Sequence, residues 1–224
     1  MTTIIDYGVG NLFSLACSLR YIGENAQVTD LPAEIDAADR IILPGVGAFG
    51  DAAEKLRQTG LDAVVRKAAA AGKPLLGICL GMQLLFDESE EFGLHKGLGL
   101  IPGRVRPLSS LPGWDGSLKV PQIGWNPLSI RRASPLLKYT KDGDCVYFLN
   151  SYYAAECDLS IIATAEYGGD VTAAVAKDNI FGCQFHPEKS GKAGLDILRA
   201  FVEIGRSGGS AVDCSCEKGG ASTC

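Results

Sequence analysis

A cysteine placed for chemistry stands in the segment GICLGMQLL, where Cys79 lies between Gly77 and Gly81. The apolar run PLLGI precedes it and a helical pattern follows, which is the strand–turn–helix form G-x-C-x-G of a nucleophile elbow. Glycines suit such a bend because its dihedral angles are strained and side chains would crowd the sulfur. A helix beginning near Leu80 would direct N–H groups toward the sulfur and favour the thiolate. The pattern therefore predicts a nucleophilic cysteine.

A proton carrier for this thiolate has to be one of the two histidines of the chain. His95 lies in a polar, glycine-rich segment and is predicted to be an exposed loop residue. His186 ends the apolar run IFGCQF, so we expect it at the carboxyl end of a strand, where functional groups of open α/β sheets gather. In an extended segment the carboxylate of Glu188 would project toward the imidazole and hold its tautomer. The sequence predicts a Cys79–His186–Glu188 triad; a buried cysteine beside an unrelated histidine is the structural alternative.

A glycine-rich loop, PGVGAFG, follows the apolar run RIIL and is a candidate oxyanion hole. Backbone N–H groups at Val46 and Gly47 can approach a developing oxyanion without steric crowding. The N–H of Leu80, the residue after the nucleophile, is the natural second donor. The alternative is an ordinary loop between a strand and a helix. No dinucleotide or P-loop pattern is present there, so no cofactor is predicted.

The elements that must position these residues alternate in the first half of the chain between strand and helix. Short apolar runs predict strands, and apolar residues at helical spacing predict helices between them. The predicted strands are TIIDYG, AQVTD, RIILPG and PLLGIC, and the predicted helices are 11–22, AAEKLRQ, 61–71 and LGMQLLFDES. From residue 98 onward, short strand patterns separated by Pro and Gly indicate hairpins, with GGD as one turn, before a last helix over 191–204.

This order predicts one α/β domain over residues 1–205. Its expected architecture is an open, mostly parallel central sheet flanked by helices, with antiparallel hairpins in the second half. Residues 206–224 are rich in Gly and Ser without periodicity, and a disordered tail is predicted there. The C-x-C pair of that tail has no second pair or histidine to complete a tetrahedral site, so no metal is predicted.

Composition narrows the function classes. The net charge is −5 and no Lys/Arg-rich run occurs, which argues against a nucleic-acid binder. No apolar run approaches the roughly 20 residues of a membrane span, and the N-terminus lacks the pattern of a secretory signal. We therefore expect a cytoplasmic protein. In a reducing compartment most of its scattered cysteines would be small core residues.

The segments GICLGMQLLF, PGVGAFG and FHPEKSG together resemble the class I glutamine amidotransferases, which use a Cys–His–Glu triad. The segments IIDYGVGNLFSL, ESEE, VPQIGWN and NSYY are similar to the glutaminase subunits of imidazole glycerol phosphate synthases. The resemblance covers about residues 4–202. It implies that Cys79 forms a glutamyl thioester, that His186 protonates the departing ammonia and that Glu188 orients His186. It further implies a set of residues that hold glutamine, namely Gly47, Gln83, Glu91, Ser151 and Tyr152.

The ammonia needs a consumer, and the chain has no visible module for that reaction. The resemblance implies a heterodimer with a (β/α)8-barrel cyclase, which makes imidazole glycerol phosphate and aminoimidazole carboxamide ribotide in histidine biosynthesis. It also implies that the oxyanion loop rearranges when this partner is engaged. The candidate docking residues are Asn11, Gln122, Trp125 and Lys177. An aromatic anchor such as Trp125 is a common interface hot spot, although a core tryptophan is the alternative.

One departure from the family pattern is Asn150, at a position where many relatives carry histidine before Ser-Tyr. Asparagine transfers no proton near neutral pH, so no auxiliary acid–base role is expected there. Three other functions stay open at this point. They are a glutaminase serving another synthase, such as one that makes pyridoxal phosphate or anthranilate, a non-catalytic subunit of the same fold, and a cysteine peptidase.

Overall fold

Four-residue apolar runs form the centre of a nine-stranded sheet in the computed structural model, which describes residues 1–205. Runs buried on both faces are typical of parallel strands covered by helices on each side. The strand order is β2-β1-β3-β4-β13-β12-β11-β8-β9. Its parallel part consists of β1 (Thr2–Ile5), β2 (Ala26–Thr29), β3 (Arg40–Leu43), β4 (Leu75–Ile78) and β13 (Ile180–Cys183).

The helices cover both faces of this sheet. On one face, α1 (Leu12–Tyr21) packs with the last helix, α6 (Gly191–Glu203). On the other face lie α2 (Pro32–Ala37), α3 (Phe49–Gln58) and α4 (Leu61–Ala70). The predicted α/β architecture is confirmed, but α2 was not predicted from the sequence.

The second half adds four antiparallel strands to the sheet, as the hairpin signals predict. They are β12 (Asp170–Lys177), β11 (Ile161–Glu166), β8 (Gln122–Ile130) and β9 (Cys145–Asn150). The predicted GGD turn joins β11 to β12, with Gly168 in the left-handed region at φ 67°. This block continues the parallel sheet directly, because β12 pairs with β13.

A separate four-stranded sheet, ordered β10-β7-β5-β6, was not predicted. It contains β5 (Glu88–Ser89), β6 (His95–Lys96), β7 (Arg104–Pro107) and β10 (Tyr152–Ala155). Its formation limits α5 to Leu80–Gln83, so the predicted helix LGMQLLFDES is wrong beyond its first turn. The carbonyls of residues 84–86 accept hydrogen bonds from the backbone of residues 98–101, which removes the acceptors that a longer helix needs.

The predictions for the tail, including its cysteines Cys214, Cys216 and Cys224, concern residues outside the described range. No helix within residues 1–205 is long and apolar enough to span a bilayer.

Candidate active site

Cys79 occupies a strained bend between β4 and α5. Its backbone has φ 55° and ψ −113°, a conformation that a non-glycine residue adopts only where its surroundings enforce it. The flanking glycines are required by close packing: a Cβ on Gly81 would lie 1.8 Å from the carbonyl oxygen of Leu43, and one on Gly77 would lie 2.6 Å from that of Gly81. The bend is therefore fixed on β3 and β4. The helix dipole that was predicted to favour the Cys79 thiolate is small, since α5 has only four residues.

The sulfur of Cys79 faces a cavity of about 240 Å³. The residue is 7% exposed, and His186 lines the same cavity. Two further groups contact the sulfur: the carbonyl oxygen of Leu149 at 3.9 Å and Nε2 of Gln184 at 3.7 Å. The thiol is thus reachable by a small ligand, and both acceptors and donors surround it.

His186 lies between the sulfur and a carboxylate. Its Nδ1 is 2.9 Å from Oε1 of Glu188, which leaves Nε2 for Cys79. Residues 187–189 form a 3-10 turn, so the predicted extended segment is wrong, yet the carboxylate still reaches the ring. The backbone N–H of His186 donates to the carbonyl of Tyr147 at 2.9 Å, and the hydroxyl of Ser190 donates to the carbonyl of His186 at 2.6 Å.

The electrostatics of this arrangement favour the charged form of His186. Burial lowers the pKa of His186, but hydrogen bonds to Cys79 and Glu188 outweigh that effect and raise the pKa to about 9. An imidazolium that is stable at neutral pH stabilises a thiolate opposite it. The site therefore holds a nucleophile and a proton donor at the same time.

The cavity also brings together every residue predicted to hold glutamine or an oxyanion. These residues are Val46, Gly47, Leu80, Gln83, Glu91, Ser151 and Tyr152. The pKa of Tyr152 is raised by burial and then by the nearby negative charge of Glu91. Leu80 begins α5, so its N–H is among the first-turn donors without an intrahelical acceptor.

The predicted oxyanion loop, residues 44–48, is fixed at both ends. The hydroxyl of Tyr7, whose pKa is raised by burial and by Cys79, donates to the carbonyl of Pro44 at 2.8 Å. The backbone N–H of Phe49 donates to Oε2 of Glu91 at 2.6 Å, which supplies the N-terminus of α3 with an acceptor. Between these anchors Gly47 has φ 96°, with no atom within 4 Å of where a Cβ would lie. The centre of the loop has room to rotate.

The four candidate docking residues do not share one surface. Trp125 is 55% exposed, so the core alternative for it is wrong. Asn11 caps α1 and lies beside His186 and Glu188 in a small crevice. Gln122 is 0% exposed in β8, so its side chain cannot touch a partner in this conformation. Lys177 lies at the end of the strands away from the active site. It pairs with Ile180, which begins β13, whereas His186 follows the other end of that strand.

Sequence reasoning missed three neighbours of the site. Tyr7 contacts the oxyanion loop, and Gln184 contacts the Cys79 sulfur. Nζ of Lys189 lies 5.9 Å from the ring centroid of Tyr147, which packs against Trp125. Gln184 had a signal, since it is the one polar residue within the apolar run before His186 and shares its alternation. His95 lies in β6 and packs on Gly50, outside the cavity lining. Within residues 1–205 no group of three or more His, Cys, Asp or Glu is placed to hold a metal ion.

Comparison with known proteins gives a consistent result. The family model of class-I glutamine amidotransferases matches residues 3–204. The imidazole glycerol phosphate synthase subunit HisH of Bacillus licheniformis is 50% identical over 205 residues, 91% of this chain and 96% of the relative. The same subunit from Syntrophotalea carbinolica is 48% identical over 91% of this chain and 100% of the relative. PurLQS from Thermotoga maritima shares the fold with a TM-score of 0.70 at 20% identity, covering 90% of this chain and 97% of the other.

Proposed function

Because the chain belongs to the class-I glutamine amidotransferase family, we propose that it is the glutaminase subunit of an imidazole glycerol phosphate synthase. The reaction is hydrolysis of glutamine to glutamate and ammonia, in the service of histidine biosynthesis. The observation that carries this proposal is the placement of Cys79 and His186 on one small cavity, with Glu188 held against the imidazole. The relatives' name, shared at 46–50% identity, supports the narrower assignment.

Substrate binding uses the polar lining of the cavity. The carboxylate of Glu91 has the sign to hold the α-ammonium of glutamine, and only one of its oxygens is engaged by Phe49. Gln83, Ser151 and Tyr152 supply further polar groups for the charged backbone end, which a buried zwitterion requires. This end fixes the amide carbon near Cys79.

In the first half of the reaction the Cys79 thiolate attacks the amide carbon, a C–S bond forms, and the carbonyl electron pair moves onto oxygen. N–H groups of Leu80 and of the Val46–Gly47 segment stabilise that oxyanion. When the oxyanion re-forms the carbonyl, the C–N bond breaks and the His186 imidazolium gives its proton to the leaving nitrogen. Ammonia and a glutamyl thioester result.

In the second half His186 takes a proton from water, and the hydroxide attacks the thioester. The C–S bond then breaks, glutamate leaves, and the sulfur departs as thiolate beside the re-protonated imidazole. Glu188 keeps Nδ1 engaged through both halves, so Nε2 alone exchanges protons.

The partner surface in this proposal is the mouth patch, a set of exposed apolar residues around the cavity opening. It consists of Val46, Val120, Ile123, Trp125 and Leu149. Val46 and Leu149 line the cavity itself, and Ile123 pairs with Leu149 across β8 and β9. A (β/α)8-barrel cyclase seated here would cover the opening and receive the ammonia. Contiguous exposed apolar patches of this kind mark interaction sites.

We place this activity in the cytoplasm, where the free thiols of Cys79, Cys157 and Cys183 stay reduced. The test is a glutaminase assay with and without the cyclase chain and its nucleotide ligand. We expect stimulation by the cyclase and no turnover for Cys79→Ala. Retained turnover in that variant contradicts the triad, and stimulation by an anthranilate or pyridoxal phosphate synthase instead would reassign the partner.

A further inference from the structure

Gln184 is a fully buried amide that touches the nucleophile and has no role in the chemistry described above. It follows β13 directly, is 0% exposed, and donates its backbone N–H to the carbonyl of Ala173 at 2.8 Å. Its Nε2 lies 3.7 Å from the Cys79 sulfur, and its Oε1 accepts from Nε2 of Gln83 at 2.9 Å. Both ends of the amide are therefore committed to the active site.

The chemistry of the sulfur decides which way this amide points. A thiolate only accepts hydrogen bonds, so the NH₂ group has to face it, and Oε1 then turns toward Gln83. The NH₂ group of Gln83 is shared between Gln184 and the carbonyl of Tyr152 at 3.3 Å. This arrangement leaves Oε1 of Gln83 as the atom that can accept a hydrogen bond from a ligand in the cavity.

The remaining groups around the sulfur act in opposite directions. The carbonyl of Leu149 accepts from a thiol and so favours the neutral form, whereas His186, backed by Glu188, favours the thiolate. Tyr7 and Cys183 also face Cys79, but burial raises the pKa of each, so both stay neutral around pH 7. Gln184 is thus a donor to the sulfur whose strength does not change with pH.

We propose that Gln184 is a positioning residue of the glutaminase reaction, which holds the Cys79 sulfur as a thiolate and fixes the amide of Gln83 with its oxygen toward the substrate. Its effect on turnover rests on the proposed function. Its effect on the ionisation of Cys79 does not, because alkylation of the thiol needs no glutamine.

The first test measures the rate of Cys79 alkylation by iodoacetamide against pH, followed on the Cys79 peptide by mass spectrometry. In Gln184→Met the inflection should move up by about one pH unit, because a hydrogen bond to the charged form is lost. In Gln184→Glu it should move further, since a carboxylate repels the thiolate. Thr172→Val, which removes a buried hydroxyl bonded to the carbonyl of Ala154, is the matched control and should leave the inflection unchanged.

An unchanged inflection in folded Gln184 variants overturns the proposal. Should either variant fail to fold by circular dichroism, the unmutated chain still decides. With ¹⁵N-labelled glutamine, the side-chain amide resonance of Gln184 should follow the alkylation inflection, and a resonance that stays constant through it contradicts the contact with a thiolate.

The second test separates turnover from ionisation. At pH values below the wild-type alkylation inflection, kcat of Gln184→Met should fall about tenfold, in line with one pH unit of lost thiolate, and the deficit should shrink at higher pH. The effects of Gln83→Met and Gln184→Met on kcat should be non-additive, because the two side-chain amides are linked by a hydrogen bond. Absence of glutaminase activity in the wild type with the cyclase chain present would refute the proposed function while leaving the alkylation result intact, so the two failures are distinguishable.

Discussion

Two glycine-rich turns follow neighbouring parallel strands and face the same cavity, but they are built in opposite ways. The nucleophile turn after β4 is packed so closely that Gly81 has no room for a Cβ beside Leu43. The oxyanion loop after β3 is held near its ends, by Tyr7 and Glu91, and a Cβ on Gly47 at its centre would meet no atom within 4 Å. Glycine thus serves close approach in one turn and conformational freedom in the other. In the proposed mechanism the molecule therefore fixes its nucleophile and leaves its oxyanion donors adjustable.

The largest effect is expected on the fixed side. Glu188→Gln keeps the shape but removes the charge that stabilises the imidazolium, so kcat should fall on the order of 10³-fold. Because the nucleophile turn does not depend on a partner, the loss should be equal with and without the cyclase chain. Steady-state glutaminase assays in both conditions check this, and a loss confined to one condition would remove the distinction between the two turns.

A paired glycine experiment addresses the comparison directly. Gly81→Ala should lower the free energy of unfolding by about 3 kcal/mol or more, since the new methyl overlaps the backbone of β3. Gly47→Ala adds no clash and should cost about 1 kcal/mol for its positive φ, while reducing stimulation by the cyclase. Urea unfolding and stimulated turnover measure the two outcomes. Equal stability losses for both variants contradict the difference in packing.

The pH dependence tests the charge on His186. Its pKa is raised to about 9, so the imidazolium, which is the proposed proton donor to the leaving ammonia, persists below that pH and is lost above it. Acylation should therefore fall about tenfold per pH unit on the alkaline side of that value. Pre-steady-state ammonia release, which accompanies acylation, gives this limb. Glu188→Gln should shift it to lower pH, whereas Gly47→Ala should leave it in place.

The smallest effect is expected at the first anchor of the loop. Tyr7→Phe removes the donor to the carbonyl of Pro44 and should cost about 1 kcal/mol of stability, the usual value for one hydrogen bond. Basal turnover should change by less than tenfold, because the second anchor at Glu91 remains. Thermal unfolding and basal glutaminase assays check both. A loss of turnover as large as that of Glu188→Gln would mean that the loop is as rigid as the nucleophile turn.

Those parts of the candidate site that depend on local sequence pattern could be predicted from the sequence. The bend at Cys79 and the strand end at His186 are short-range features, and the parallel strands on which they lie bring them to one edge. Features set by tertiary pairing were missed. Hydrogen bonds from the backbone of residues 98–101 to the carbonyls of residues 84–86 prevent a longer α5, and no periodicity in the sequence predicts that pairing.

Side-chain exposure on the antiparallel strands was equally hard to predict. Gln122 and Trp125 lie three residues apart on β8, and the polar residue is buried while the aromatic one is exposed, the reverse of what residue type suggests. Lys177 was assigned to the docking surface although its strand runs antiparallel to β13, which carries it to the far edge. Strand direction, rather than composition, decides which charged residues reach the mouth patch.

Glu91 links two events that lie on either side of the oxyanion loop. In the proposed site its carboxylate is the counter-charge for the ammonium of glutamine. The same carboxylate accepts a hydrogen bond from the backbone N–H of Phe49, in the first turn of α3. Val46, a few residues earlier, belongs to the outer surface that a second chain would cover. In the proposed complex, glutamine inside the cavity and the partner chain outside it would therefore act on the same few peptide units. Thermodynamic reciprocity then demands that whatever factor the docked chain applies to glutamine affinity, glutamine applies to the affinity of docking.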